Sequence, residues 1–182
     1  MNKHYIKYLS LLPLFVLLQV LVLNEVLFFS YINPYLYLAL ILSLPLKTPK
    51  WFLLLYAFLL GFFIDLFSGS LGFHSTATVL LAFIKPAISR ISIPHNILGD
   101  YDKISMPKIG NKSFITYAFL LIIIHNTVLF SLEHLSFSFS IFAKIVSSSI
   151  LTLVLILIME LFKNKKVLEK DKISPFFASW IT

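Results

Sequence analysis

The chain has 182 residues and a formal net charge of +7; 59% of its residues are hydrophobic and only 13% are charged. A soluble domain carries about 25% charged residues, so the composition excludes an ordinary soluble fold and predicts an all-α, polytopic membrane protein. There is no cysteine, which excludes disulfides, thiolate catalysis and cysteine-ligated metals.

The apolar residues fall in blocks close to the 20 or so residues that span a bilayer. They predict six helices, over 5–24, 34–46, 51–67, 71–90, 114–133 and 141–162. In the first, the apolar run Leu9–Leu23 follows Lys3 and Lys7; without a small-residue cleavage pattern behind it, it reads as a retained helix rather than a signal peptide. The second opens at Asn33-Pro34, with Pro34 in a first-turn position that needs no N–H. Its rise of about 20 Å falls short of a hydrocarbon core of about 30 Å, so whether it crosses fully stays open. Pro45 and Pro49, beside Lys47 and Lys50, break it from the third. The hinge Ser68-Gly69-Ser70 then separates the third from the fourth, with serines placed to cap the helix that follows.

After the fourth helix comes a loop, 91–112, holding Pro94, Gly99, Pro107 and Gly110, with Asp100 and Asp102 among lysines. The sixth helix runs into the basic stretch Lys163–Lys172. Beyond it lie Phe176, Phe177 and Trp180, an apolar end that either rests in the membrane interface or docks on a partner. The chain therefore divides into a helical bundle, 1–162, and a basic tail, 163–182. Neither soluble piece is large enough for a catalytic domain.

Six crossings with both termini in the cytoplasm put every lysine and arginine except Lys144 on the cytoplasmic side. Lys85 and Arg90 are counted there. This is the positive-inside pattern, and Lys144 is left to snorkel toward the outer surface. Topology thus accounts for the positive charge. No nucleic-acid-binding motif accompanies it, so nucleic acid is not an expected partner. The Lys163–Lys172 run is either a contact for anionic membrane lipids or a plain stop-transfer anchor.

On this topology the intramembrane polar residues lean outward. Gln19, Asn24 and Glu25 close the first helix, and His125, Asn126 and Thr127 lie in the fifth, with Glu133 and His134 beyond. Ser147, Ser148 and Ser149 lie in the sixth. Such groups are costly against lipid and must face one another, a cavity or a partner. In the third helix Ala57, Gly61 and Asp65 share one face at i, i+4, i+8; in the fourth His74, Thr78 and Ala82 repeat the spacing. Small residues at this spacing let helices approach closely. The two faces are expected to oppose each other, with Asp65 meeting His74 beside the turn that contains Gly72. Asp65 then has three open roles: a solvated cap, a latch or partner contact, or a proton relay or catalytic acid.

Chemistry finds less support. Ser70 with His125 superficially resembles the pair of an intramembrane serine protease, but helical rise separates them in depth by about 12 Å. Asp65 is the lone aspartate in a predicted span, against a paired-aspartate mechanism. No two histidines share an i, i+4 spacing for a metal, and no nucleotide-binding fingerprint occurs. No catalytic, cofactor or metal site is expected.

Three stretches together carry a family resemblance. They are Leu17-Leu18-Gln19-Val20 with Asn24; Asn33-Pro34-Tyr35-Leu36-Tyr37; and Gly61-x-x-x-Asp65-Leu66-Phe67-Ser68 with Leu71-Gly72 and Ala77-Thr78-Val79-Leu80-Leu81-Ala82-Phe83. In their order, and over about residues 9–162, the chain resembles the MreD family, the membrane subunit of the bacterial rod-shape machinery. The resemblance implies a multi-pass protein of the inner membrane with a fold similar to the S components of energy-coupling-factor vitamin transporters. It implies a non-enzymatic role beside MreC, its direct partner, in a complex with MreB, RodZ, RodA and a penicillin-binding transpeptidase that guides lateral wall synthesis. It further implies that Asp65 and its small-residue face shape an outward groove for a partner's helix. The rival reading is a substrate-binding transporter subunit of the S-component type. The absence of a small-x-x-x-small pair in Leu9–Leu23 counts against it.

Overall fold

The computed structural model describes residues 3–24, 32–95, 104–134 and 138–178, and the side chains of 6–24, 32–95, 104–134 and 138–163. The expectations for Glu25, Asp100, Asp102 and Trp180 lie outside the described residues, as do those for the side chains of Phe176 and Phe177.

The first helix, α1, spans Lys3–Leu18 and passes into a wider π turn, Gln19–Leu23, closed by the Asn24 N–H on the Gln19 carbonyl at 2.8 Å. Such a turn re-aims side chains, and Gln19 is the residue it buries.

The second predicted helix is much shorter than its apolar run. Only Leu38–Ser43 (α2) is helical, a rise of about 9 Å. Leu38, Ala39, Leu40, Ile41 and Leu42 are all buried. A helix that is apolar on every side belongs inside a bundle, and α2 lies there. The segment runs antiparallel to α1: Gln19 reaches the Pro34 carbonyl, while the Tyr8 hydroxyl donates to the Ser43 carbonyl.

Next come α3 (Lys50–Ser68) and α4 (Phe73–Ser92), an antiparallel hairpin and the most extensive helix pairing in the molecule. The turn between them uses Gly69 and Gly72, both at positive φ (66° and 86°), where a side chain is disfavoured. α4 also packs on α6 and on α2, so it is the central helix. Its Ala77, Thr78 and Ala82 are buried, which lets neighbours come close on both sides.

The described parts of the expected 91–112 loop, 91–95 and 104–112, pack into the molecule. Ile93, Ile104, Met106 and Ile109 are buried, the last two in a short helix, α5 (Met106–Ile109). α6 (Asn111–His134) and α7 (Phe139–Ala178) complete the bundle. α7 continues well past the predicted end at 162. No glycine or proline interrupts it between Lys163 and Ser174, and lysine, leucine and glutamate are good helix formers.

Among the described residues there is no β-strand. Four helical stretches are long and apolar enough to cross a membrane: Ile6–Leu23, Lys50–Ser68, Asn111–His134 and Phe139–Lys163. Their outward faces carry large apolar side chains, among them Leu14, Leu21, Phe58, Leu66, Phe142 and Val154. The chain is therefore a multi-pass helical membrane protein in composition and in fold.

Two lysines make contacts that the charge count does not describe. Lys85, counted on the cytoplasmic side, is 2% exposed inside the bundle, its Nζ donating to the Leu44 carbonyl at 2.7 Å. Lys144 lies with its Nζ 4.6 Å from the centre of the Phe130 ring, a cation–π contact.

Candidate functional site

The turn between α3 and α4 presents a simple problem. The first N–H groups of a helix have no partner within it, and a side chain at the N-cap position normally accepts them. Here the N-cap is Gly72, which has no side chain. Asp65, from the last turn of α3, does the work from outside. Its Oδ1 accepts the backbone N–H of His74 at 3.0 Å and its Oδ2 that of Ser75 at 2.8 Å. The Ser70 hydroxyl donates to Oδ1 at 2.6 Å, and the Ser75 hydroxyl donates to Oδ2. The backbone of Asp65 acts too, its carbonyl accepting Gly69 and Ser70 N–H groups to end α3. One residue thus terminates one helix and begins the next.

His74 joins the same carboxylate through Nδ1, 3.0 Å from Oδ1. An ionised carboxylate only accepts, so the proton of the imidazole lies on Nδ1. Ser70 Oγ is 3.2 Å from that same nitrogen. In a serine-hydrolase triad the acid and the nucleophile sit on opposite ring nitrogens. Here both sit on one, and the serine proton points at the acid. The arrangement is a closed cap and does not activate a nucleophile. Ser70 and His125 are not hydrogen-bonded to each other; His125 is engaged elsewhere.

The seven candidate residues from the sequence divide cleanly. Ala57, Gly61, Asp65, His74, Thr78 and Ala82 are buried, and Gly72 is at the turn, partly exposed. The two small-residue faces do oppose each other. Thr78 Oγ1 is 2.9 Å from the Ala57 carbonyl across the seam, and 2.8 Å from the His74 carbonyl in its own helix. A Cβ on Gly61 would fall 2.5 Å from Ser75 Cα; only glycine admits this approach. Asp65 is 5% exposed and directed into the hairpin.

Behind His74 the interior is lined with rings. Tyr35 and Tyr37 pack edge-on against His74 at 6.0 and 6.3 Å, and both approach His125 at 5.7 Å between centroids. The Tyr37 hydroxyl meets His125 Nε2 at 2.9 Å, His125 Nδ1 faces Asn126 Oδ1 at 3.1 Å, and Asn126 Nδ2 donates to Ser149 Oγ at 2.9 Å. The outward-leaning polar residues therefore face one another. Thr127 instead faces outward, bonded to the Ile123 carbonyl one turn back, and Glu133 and His134 approach to 4.0 Å.

A second constellation escaped the sequence reading, the set of side chains that hold α2. At its entrance Gln19 donates to the Pro34 carbonyl (2.9 Å) and accepts the Leu36 N–H (3.1 Å). Thr152 accepts the Tyr35 N–H (3.0 Å), and Ser148 the Asn33 N–H (3.2 Å). At its exit the Leu42, Ser43 and Leu44 carbonyls receive Tyr117, Tyr8 and Lys85. Four surrounding helices supply these groups. Among the described residues Lys85 has no carboxylate beside it; the Leu44 carbonyl at the end of α2 takes its Nζ instead. The signal was in the sequence: an apolar run too short to span, bounded by prolines, must hand its backbone ends to side chains.

Comparison with known protein families, with curated proteins and with solved structures finds no match.

Proposed function

We propose that this chain is a non-enzymatic scaffold subunit of the bacterial inner membrane, of the MreD type, which holds MreC within the rod-shape machinery and so helps guide lateral peptidoglycan synthesis. The observation that carries the reading is the α3–α4 hairpin. The Gly61-x-x-x-Asp65 and Ala77–Phe83 stretches of the resemblance lie on it, and their polar atoms are spent on locking it. A rigid hairpin with an apolar outer face suits helix-to-helix assembly in lipid, where close packing rather than hydrophobic burial drives association.

In this reading the chain crosses the membrane six times, with both termini in the cytoplasm. The second crossing is the segment 32–48, sheltered inside the bundle; it needs no spanning helix, because extended residues rise about 3.3 Å each. The antiparallel run of this segment along α1 supports it. The space where a transporter subunit would enclose a solute in its outer half is occupied here by Tyr35, Tyr37, His74, His125 and Phe130. That favours the scaffold.

The test is purification of the tagged chain from its host in mild detergent, with mass spectrometry of the proteins retained. Recovery of MreC, RodA or the transpeptidase, diminished for Asp65→Leu at equal chain abundance, is expected. Recovery of an ATPase pair with a coupling subunit, and no wall-synthesis protein, would replace the scaffold with a transporter component.

A further inference from the structure

Outside the locked interior, the α3–α4 seam is open along its lipid-facing side. One depression of about 340 Å³ is lined by Lys50, Leu53 and Leu54 of α3 and by Phe83, Pro86 and Arg90 of α4. A second, of about 490 Å³, shares Leu54 and Phe83 with it and continues to Ser75 and Thr76. Together they form one groove following about 20 Å of helix. It exists because Pro86 and Ala87 put short side chains on α4 between the bulk of Phe83 and Arg90, with the small Ala82 beside them.

The chemistry of the groove is lopsided. Its length is apolar, while one mouth holds two cations, Lys50 and Arg90, neither with a carboxylate among the described residues. Lys50 is the first residue of α3, and the position before it is Pro49, which has no side chain able to cap. A cation at a helix N-terminus adds to the positive end of the dipole instead of offsetting it. An anion at this mouth would answer the lysine, the arginine and the helix end together. Trp51, 67% exposed, stands beside Lys50, in the manner of an aromatic at the headgroup level.

We infer that this groove is a binding site for an anionic phospholipid, its phosphate between Lys50 and Arg90 and one acyl chain along the α3–α4 seam toward Ser75. The charge pattern selects this occupant. A partner's apolar helix would satisfy the groove but leave the two cations facing each other, and a zwitterionic lipid would offset them only in part. The site rests on the membrane reading of the chain and is independent of the rod-shape assignment.

Trp51 allows a direct measurement. In a Trp180→Phe background it is the sole tryptophan, and bromine on an acyl chain quenches indole on contact. The protein is placed in nanodiscs holding brominated phosphatidylglycerol in plain phosphatidylcholine, or the reverse labelling at the same ratio. The expected result is quenching by phosphatidylglycerol about tenfold beyond its share of the bilayer, falling as salt rises, and lost in Lys50→Gln/Arg90→Gln. Ala87→Phe, on an exposed position, keeps both cations while filling the chain slot, and is expected to lose most of the preference too. Equal quenching by the two lipids overturns the site, as does a preference that survives the double variant. A preference untouched by Ala87→Phe overturns the groove as the chain's place. Quenching by neither lipid would overturn the membrane reading along with it.

Discussion

At the residue scale, Asp65 carries more of the local structure than its neighbours because five donors converge on one carboxylate. Asp65→Asn keeps the shape but turns an amide toward donors at one of the two oxygen positions. It should cost about 2 kcal/mol, read as a lower midpoint of unfolding in detergent. Asp65→Leu removes both acceptors and should cost clearly more; equal stability of the two variants would show that the carboxylate does not cap α4. Glycine offers a contrast within the same hairpin. Gly61→Ala forces a Cβ to 2.5 Å from Ser75 Cα, backbone that cannot yield without parting the helices, at about 1–3 kcal/mol. Gly72→Ala has open space around the new Cβ and should cost only the strain of positive φ, about 1–2 kcal/mol. A disulfide or crosslink spanning α3 and α4 should report widening for Gly61→Ala and none for Gly72→Ala.

At the scale of elements, the sequence resolves what periodicity can carry and misses what tertiary contacts decide. The i, i+4, i+8 spacing of Ala57, Gly61 and Asp65 placed the hairpin seam, and equal distance from the turn placed Asp65 beside His74. Both follow from helical geometry alone. α2 was not legible in the same way. Its apolar run has no polar face to set a boundary, and its helix stops at Ser43 because Pro45 follows and because Tyr8, Tyr117 and Lys85, from three other helices, donate to the carbonyls at its end. The burial of Lys85 was not legible for the same reason, since the charge rule counts residues and does not see a buried carbonyl. The caps predict how α2 fails. Gln19→Leu strands the Pro34 carbonyl and the Leu36 N–H together, at about 1–3 kcal/mol each. Hydrogen exchange should therefore rise over Leu38–Leu42 while the α3–α4 hairpin keeps its protection. A uniform rise across both would mean that α2 is no separate unit and that the bundle opens as one.

At the scale of the whole molecule, the decisive feature is that a stretch of chain too short to span as a helix fills the centre of a bundle whose long helices face lipid. The hydrocarbon around the bundle cannot satisfy backbone groups, so non-helical chain at that depth must lie inside protein. The segment 32–48 meets that condition through partners on α1, α4, α6 and α7. Its direction then decides the topology of everything after it. If it runs from one surface to the other, α3 begins on the side where α1 began, and Lys47 and Asn111 lie on the opposite side from Leu71 and Ser138. If it turned back, Lys47 would lie on the side where α1 ends, with Leu71 and Ser138 on the side where α1 began, and the later helices would invert. The chain has no cysteine, so single-cysteine variants at these four exposed positions can be labelled in intact cells with a membrane-impermeant maleimide. Labelling of Leu71→Cys and Ser138→Cys, with Lys47→Cys and Asn111→Cys reached only after permeabilisation, is the expected outcome. Labelling of Lys47→Cys from outside together with Leu71→Cys would leave α3 no way to cross between them, and would remove the sixfold crossing and the cytoplasmic termini with it.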